Sequence, residues 1–165
     1  DAGIRQAAVL ERGSYKDLLV YKGDEQNLFN ELGYVNGEWL VVSSEYEIKN
    51  DPLTTHHSPL TIATSSVRRK AQWLNHYPHH SLENLRGNVN TRMQKLTNSS
   101  WNGAIFAAAG LERIGLRPPN SVELDWMLPA PSQGAVTIVC RGEDKVAYKA
   151  YALLNDETTA LCTCV

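Results

Sequence analysis

Apolar positions along the chain change period several times, and the changes mark out its elements. Ile4 to Leu10 is apolar-rich and reads as a strand, with nothing before it to pair with. After the turn signal Gly13-Ser14, Asp17 to Tyr21 is a second short strand. From Lys22 to Pro59 the pattern loosens into Gly23-Asp24, Gly33, Asn36-Gly37 and Asn50-Asp51-Pro52. Within it only Trp39 to Ser43 has strand character, and Asn36-Gly37 before it is a hairpin signal. This segment, about residues 23–59, reads as a surface elaboration with its own hairpin.

Beyond Pro59 the alternation sharpens. Leu60 to Ala63 is a short apolar strand running into Thr64-Ser65-Ser66, and Val67, Ala71 and Leu74 then recur at helical spacing up to Tyr77-Pro78. Ser81 to Leu85 predicts a strand ending in Arg86-Gly87-Asn88, followed by a helix over about 89–96. Ala104 to Ala109 is a continuous apolar run suited to a buried parallel strand, and Gly110 opens a short helix over 111–114. Ala135 to Cys140 is one more strand and Lys145 to Leu154 a helix, with Asn155-Asp156 as an N-cap signal for another. The repeated strand–helix order is that of an α/β protein: an open parallel sheet with flanking helices.

Composition narrows the class. A hydrophobic share of 42% and a charged share of 21% are those of a soluble globular protein, not of a disordered or fibrous one. The net charge of -2 argues against a dedicated nucleic-acid binder. No run approaches the roughly 20 apolar residues of a membrane span, no signal segment opens the chain, and the cytoplasm is the expected location. The three cysteines, Cys140, Cys162 and Cys164, make a poor disulfide framework and fit a reducing compartment. Cys162 and Cys164 have no second Cys or His pair at a metal-binding spacing. His56-His57, His76 and His79-His80 fit surface or capping roles, so no metal site is expected. Trp73, Trp101, Trp126 and Met127 read as core or hinge packing. Both ends read as cut from a longer polypeptide: the first residue is Asp1, not Met, and the last predicted helix stops without a C-terminal signal.

The chemistry gathers at the strand-to-helix turns. In an open α/β sheet, ligands bind beyond the carboxyl ends of the strands, against helix N-termini whose free N–H groups and dipole favour anions. Thr64-Ser65-Ser66 with Arg68 and Arg69, then Arg86-Gly87-Asn88 with Arg92, occupy two such turns, and Gly110 with Arg113 is expected at a third. Arginine pairs carboxylates bidentately and stays charged, so it holds and orients a polyanion but does not relay protons. Taken singly the arginines also fit a plainer account. Arg68 and Arg69 could be a solvated helix face, and Arg92 could pair Glu83 in a surface bridge worth at most about 1 kcal/mol. The three turns together favour an anion-binding crevice.

These motifs also carry a family resemblance. Thr64-Ser65-Ser66-Val67-Arg68-Arg69 resembles the T-S-S-x-R-R motif of porphobilinogen deaminases (hydroxymethylbilane synthases). With its arginine eighteen residues after Arg68, Leu85-Arg86-Gly87-Asn88-Val89-Asn90-Thr91-Arg92 is similar to that family's L-R-G-N-V-x-T-R. The run from Ala108 to Leu116 is similar to its A-x-A-G-L-x-R-L-G-L block, and Pro129-Ala130-Pro131-Ser132-Gln133-Gly134-Ala135 to its P-A-x-x-Q-G-A crossover. Asn155 to Leu161 resembles the helix approaching the family's cofactor cysteine. Residues 23–59 make this chain longer there than the family pattern.

The resemblance implies a transferase that condenses four porphobilinogen molecules into hydroxymethylbilane for haem synthesis, releasing ammonia, on a covalent dipyrromethane cofactor. Each porphobilinogen carries an acetate and a propionate. By the resemblance Arg68, Arg69, Arg86, Arg92 and Arg113 bind these carboxylates on porphobilinogen and the linear pyrrole oligomers, and Thr64 and Ser66 hold the primer. Ser65, Gly87, Asn88, Gln133 and Gly134 complete the expected substrate- and cofactor-binding set. The implied fold is a periplasmic-binding-protein-like (type II) lobe with partial flanking domains. Residues 1–9 would be the tail of domain 1, 10–128 the carboxylate-binding domain 2, 129–143 the crossover back to domain 1, and 144–165 the start of domain 3. The family's catalytic aspartate, in a K-D-x-P segment, and its cofactor cysteine, in L-x-G-G-C, are expected outside this chain. Lys16-Asp17 is followed by Leu18-Leu19 and no proline, and Cys162 and Cys164 lack the preceding glycines. The stretch alone is therefore expected to bind without turning over. The full-length enzyme is expected to be a monomer without nucleic-acid or membrane partners. The competing reading is a stand-alone anion-binding or sensor domain of periplasmic-binding type.

Overall fold

A computed structural model describes residues 3–35, 38–39 and 59–163. They fall into two compact units, and the chain passes between these at 17/18, 106/107, 117/118 and 127/128.

The unit formed by residues 18–106 and 118–127 is built on a five-stranded sheet. Its strands are β2 (Asp17–Tyr21), β5 (Thr61–Ala63), β6 (Ser81–Glu83), β7 (Gly103–Ala107) and β8 (Ser121–Glu123), in the order β6-β5-β7-β2-β8. β5 runs parallel to both β6 and β7. The crossovers between these three are the helices α2 (Val67–His76) and α3 (Val89–Asn98). The expectation of a wholly parallel sheet needs correction, because β2 pairs antiparallel with β8. It also opposes β7: Lys22 N donates to Asn102 O at one end, and Ala108 N to Lys16 O at the other. The helical crossovers set the direction of β5, β6 and β7 only, so the sheet is open and mixed. β8 escaped the sequence reading because three residues carry too little alternation to signal a strand.

Residues 23–59 were expected to be surface elaboration, yet they contribute a helix to this core. α1 (Glu25–Leu32) is capped by Asp24, whose side chain accepts from Gln26 N, and by Gly33 at its end. Its Leu28 and Leu32 are buried with Leu19, Ile62, Trp73, Ile105 and Leu124. The expected hairpin is present as β3 (Tyr34–Val35) paired antiparallel with β4 (Glu38–Trp39). Residues 40–43 of the predicted strand, like His56, His57 and Cys164, lie outside the described residues. His76 and His80 are packing residues in place of surface ones. His76 stacks on Trp126 at 4.4 Å and 9°. His80 stacks on Tyr77, and its Nδ1 accepts from Trp73 Nε1 at 3.3 Å. The Tyr77 hydroxyl, pushed well above the usual phenol range by burial, donates to Leu32 O at 2.7 Å and ties α2 to α1.

The other unit comprises residues 1–17, 107–117 and 128–165. Here β1 (Ile4–Leu10), for which the sequence shows no preceding segment to pair with, pairs antiparallel with the later β9 (Val136–Arg141), from Ile4↔Arg141 to Leu10↔Val136. A pairing between segments more than a hundred residues apart leaves no local trace. α5 (Lys145–Ala152) is capped by Asp144, and α6 (Glu157–Thr163) follows Asp156, whose Oδ1 accepts from Thr159 N at 2.7 Å. α4 (Ala108–Glu112) begins two residues before the predicted Gly110. Its first N–H donates to the Lys16 carbonyl, so this helix starts without a capping side chain.

Candidate functional site: two arginine-bearing turns and a glycine-locked turn

β5 and β6 pair through Ala63↔Glu83, which brings the segments that follow them to the same edge of the sheet. Thr64 is buried, its N–H donates to Glu83 O at 2.8 Å, and its Oγ1 accepts from Ser66 N. Ser66 caps α2, with its Oγ accepting from Arg69 N at 3.4 Å. Ser65 is exposed. The two neighbouring arginines then diverge. Arg69 is buried and donates from Nη1 to Ile105 O at 3.3 Å on β7, whereas Arg68 is half-exposed.

In the turn that follows β6, Arg86 is exposed and its carbonyl accepts from Lys95 Nζ at 2.9 Å. Gly87 stands at φ +121°, and a Cβ there would meet the Thr91 Cγ2 at 2.9 Å. Its carbonyl accepts from Arg92 Nε at 2.7 Å, which tethers that guanidinium to the turn. Asn88 caps α3 through Oδ1 and Thr91 N at 2.8 Å. Lys70 Nζ donates to Asn84 Oδ1 at 2.7 Å and links α2 to the chain leaving β6. A cavity of about 610 Å³ runs along α3, lined by Asn84, Thr91, Gln94, Lys95, Asn98, Ser99 and Trp101. It is lined by none of the predicted arginines and meets the Arg86 turn through Thr91 and Lys95.

Charge placement at these helices is unusual. A helix N-terminus carries positive partial charge, so acidic residues stabilise its first turn and cations oppose it by some tenths of a kcal/mol each. α2 opens Val67-Arg68-Arg69-Lys70 with no acid in its first turn, and α3 also has none there. Three consecutive cations at the start of α2 thus stand against its dipole. An anion would relieve that repulsion and occupy the free N–H groups at once.

The remaining predicted residues, Arg113, Gln133 and Gly134, belong to the other unit. Arg113 stands at the C-terminal cap of α4 and does not open it, contrary to the expectation of a third helix-start turn. Its Nη2 donates to Gly134 O at 3.0 Å. Gly134 lies at φ +91°, and its carbonyl also accepts from Gly13 N at 3.1 Å. A Cβ on it would sit 2.5 Å from Gly13 O and 2.8 Å from Ser14 O, so only glycine fits. Sequence reading missed Arg12, whose Nε donates to Gln133 O at 3.0 Å beside the Arg113 contact. Asp17, set aside there as the family's catalytic aspartate and given no other role, is buried and bonded to Gln133 Nε2 at 2.9 Å. A lone arginine after a strand and a lone aspartate opening one carry no local signal. Among the described residues no cluster of His, Cys, Asp and Glu could hold a metal ion, and no helix is long and apolar enough to cross a membrane.

Comparison with known proteins bears on what these turns serve. Among solved structures the chain is similar to an amino acid ABC transporter substrate-binding protein from Streptococcus pneumoniae, with a TM-score of 0.43 and 12% identity, covering 92% of this chain and 54% of that one. The porphobilinogen deaminase of Xanthomonas euvesicatoria pv. vesicatoria is 46% identical over 104 residues, 61% of this chain and 34% of that protein. That of Macrococcus caseolyticus is 40% identical over 121 residues, 67% of this chain and 39% of that protein. The chain thus spans a little over a third of the length of these curated relatives. The model of the family described as porphobilinogen deaminase, dipyromethane cofactor binding domain, matches residues 1–149, a stretch that holds both arginine-bearing turns and the glycine-locked one. With nearly the whole chain inside that match, it belongs to the porphobilinogen deaminase family.

Proposed function

We propose that this chain supplies carboxylate-binding surface to a porphobilinogen deaminase, a transferase that joins four porphobilinogen molecules head to tail into hydroxymethylbilane and releases ammonia. The observation that carries the reading is the opening of α2, where Arg68, Arg69 and Lys70 stand together against the helix dipole with no acid in the turn. A substrate bearing an acetate and a propionate, and an oligomer that gains two carboxylates per addition, is the polyanion these cations suit.

The chain's residues divide the work by exposure. Arg86 is exposed and Arg68 half-exposed, and these two are the ones to grip carboxylates bidentately. Arg92, held by the Gly87 carbonyl, presents its remaining N–H groups beside the α3 N-terminus. Arg69 is buried against Ile105 O and stiffens the base of α2. Ser65 and the backbone N–H groups that open α2 and α3 add neutral donors. Arginine keeps its proton, so these groups bind and orient, and proton transfer falls to other residues.

The dipyrromethane of this family is itself a carboxylate-bearing group, and the donor set here fits it: guanidiniums and helix N-termini, with Thr64 and Ser66 framing the turn between. When bound, it supplies the covalent end on which the oligomer is built. Arg113, Gln133 and Gly134 form the second cluster assigned to substrate and cofactor carboxylates.

Titration of the chain with porphobilinogen by calorimetry tests the reading. Arg68→Leu and Arg86→Leu should each weaken binding about tenfold or more, the worth of a charge-assisted hydrogen bond. Their thermal midpoints should stay near the parent's, since neither residue is buried. Undiminished affinity in both variants would remove the carboxylate assignment.

A further inference from the structure

We infer that Asp17 is a positioning residue for Arg113, acting through the side chain of Gln133 and the backbone of Gly134. This rests on the proposed reading of Arg113 as a carboxylate-binding residue.

Asp17 is 1% exposed, an unusual place for a carboxyl group unless polar neighbours need it. Its Oδ1 accepts from Gln133 Nε2 at 2.9 Å, and the same amide donates to Tyr15 O at 2.7 Å. Both hydrogens of the amide are thereby used. The other end of Gln133, Oε1, accepts from Ala130 N at 3.4 Å, and its own N–H donates to Ala130 O at 3.0 Å. The side chain therefore closes the turn over 130–133 from within.

That turn is strained just before Gln133, where a non-glycine residue takes left-handed backbone, and just after it Gly134 takes a positive φ open to glycine. Ser132 sits at φ +56° and Gly134 at φ +91°. Left-handed backbone of this kind persists only where its surroundings over-determine it. The buried Asp17 carboxyl supplies a fixed point for that purpose. Downstream of it, Gly134 O receives Arg113 Nη2 at 3.0 Å and Gly13 N at 3.1 Å. Arg113 is otherwise an exposed, rotamer-rich side chain, so the direction of its guanidinium depends on where that carbonyl points. Asp17 thus reaches the arginine through two linked hydrogen bonds, and every member of the relay lies in one unit.

Nitrogen-15 NMR of the chain reads the relay directly through the side-chain resonances of Arg113. In the parent, restricted rotation should keep its Nη signals distinct. Asp17→Ala should average them, while Asp17→Asn, whose Oδ1 still accepts from Gln133, should restore the parent pattern. Gln133→Ala cuts the same link from a half-exposed position, and serves if Asp17→Ala does not fold. Porphobilinogen affinity should fall about three- to tenfold in Asp17→Ala, the cost of re-ordering one long side chain. It should fall no further in Asp17→Ala than already lost in Arg113→Leu when the two are combined. Arg113 signals unchanged in folded Asp17→Ala or in Gln133→Ala would overturn the positioning role. Binding undiminished in Arg113→Leu would instead overturn the carboxylate reading of Arg113 on which the inference rests.

Discussion

The two units of this chain are held together by different forces. The sheet unit has an apolar core in which Trp73, Leu19, Ile62, Ile105 and Leu124 are wholly or almost wholly buried around five strands. In the ribbon unit the buried apolar side chains are Ala7, Ala8, Val9, Ala108, Ala109 and Leu111, nearly all small. Its helix α5 has no buried residue, and Val146, Leu153 and Leu161 are each at least 80% exposed. Cohesion in that unit is polar. Asn155 Oδ1 accepts from Val9 N at 2.9 Å, Asp156 N donates to Val9 O at 2.8 Å, and Thr159 Oγ1 accepts from Arg12 N at 3.1 Å. The lesson is that area-dependent burial tolerates small errors of fit, while a relay of directed bonds around glycine tolerates almost none.

The largest test of that contrast is truncation in the sheet unit. Trp73→Ala should cost about 3–5 kcal/mol in chemical denaturation, because it empties the centre of the aromatic cluster and leaves His80 Nδ1 without its donor. A loss under about 1 kcal/mol would mean that the core collapses around the gap.

Next come two glycines at positive φ, one in each unit. Gly134→Ala should cost about 3 kcal/mol, because its methyl group would meet two backbone carbonyl oxygens that cannot turn aside. Gly87→Ala should cost about 1–2 kcal/mol, since the atoms it meets belong to the Thr91 side chain, which has other rotamers. Equal costs would erase the distinction between a rigid and a yielding neighbourhood. Thermal midpoints of the two variants decide it.

A smaller effect is expected at the cap of α3, where Asn88→Ala should lose about 1 kcal/mol. Because Asn88 also shapes the Arg86 turn, porphobilinogen binding should weaken with it. Loss of stability with full affinity would assign Asn88 to the helix alone.

The smallest effects come from acid, and they strike the units at different pH. Burial against Trp126 holds the His76 imidazole below its ordinary value of 6.5. The unfolded chain therefore takes up this proton first, and stability present above about pH 6.5 declines as the pH falls below it. His76→Phe keeps the stacking and should flatten that slope. Hydrogen bonds from Thr159 hold Asp156 below 3.8, so its contribution to the ribbon unit persists to lower pH and disappears as pH falls through that depressed value. Thermal melts at stepped pH should show the two declines separately.

How much of this was legible in advance follows from the range of each interaction. Helices α2 and α3, their caps Ser66 and Asn88, and the arginines at both turns are encoded within a dozen consecutive residues each, and periodicity and capping chemistry disclose them. Helix α1 was missed because only Leu28, Phe29 and Leu32 mark its inner face, and the glycines around it suggested a loop. Strand β8 and the β1–β9 pairing were missed because neither has a local signature. Within the site, the sequence presents Arg68 and Arg69 as equals. Helical geometry turns one of them in to the Ile105 carbonyl and leaves the other half-exposed.

By itself, then, the sequence determined the strand–helix–strand grammar, the cationic opening of α2 and the four family motifs, all of which rest on short-range pattern. Tertiary structure alone decided the mixed direction of the sheet, the partner of β1, and the convergence of Arg12, Asp17, Arg113 and Gln133 around Gly134. The strand pairings and the bonds of Arg12 and Asp17 to Gln133 join segments roughly a hundred residues or more apart, the Arg113–Gly134 bond spans 21, and hydrogen-bond geometry over such separations exists only once the chain has folded.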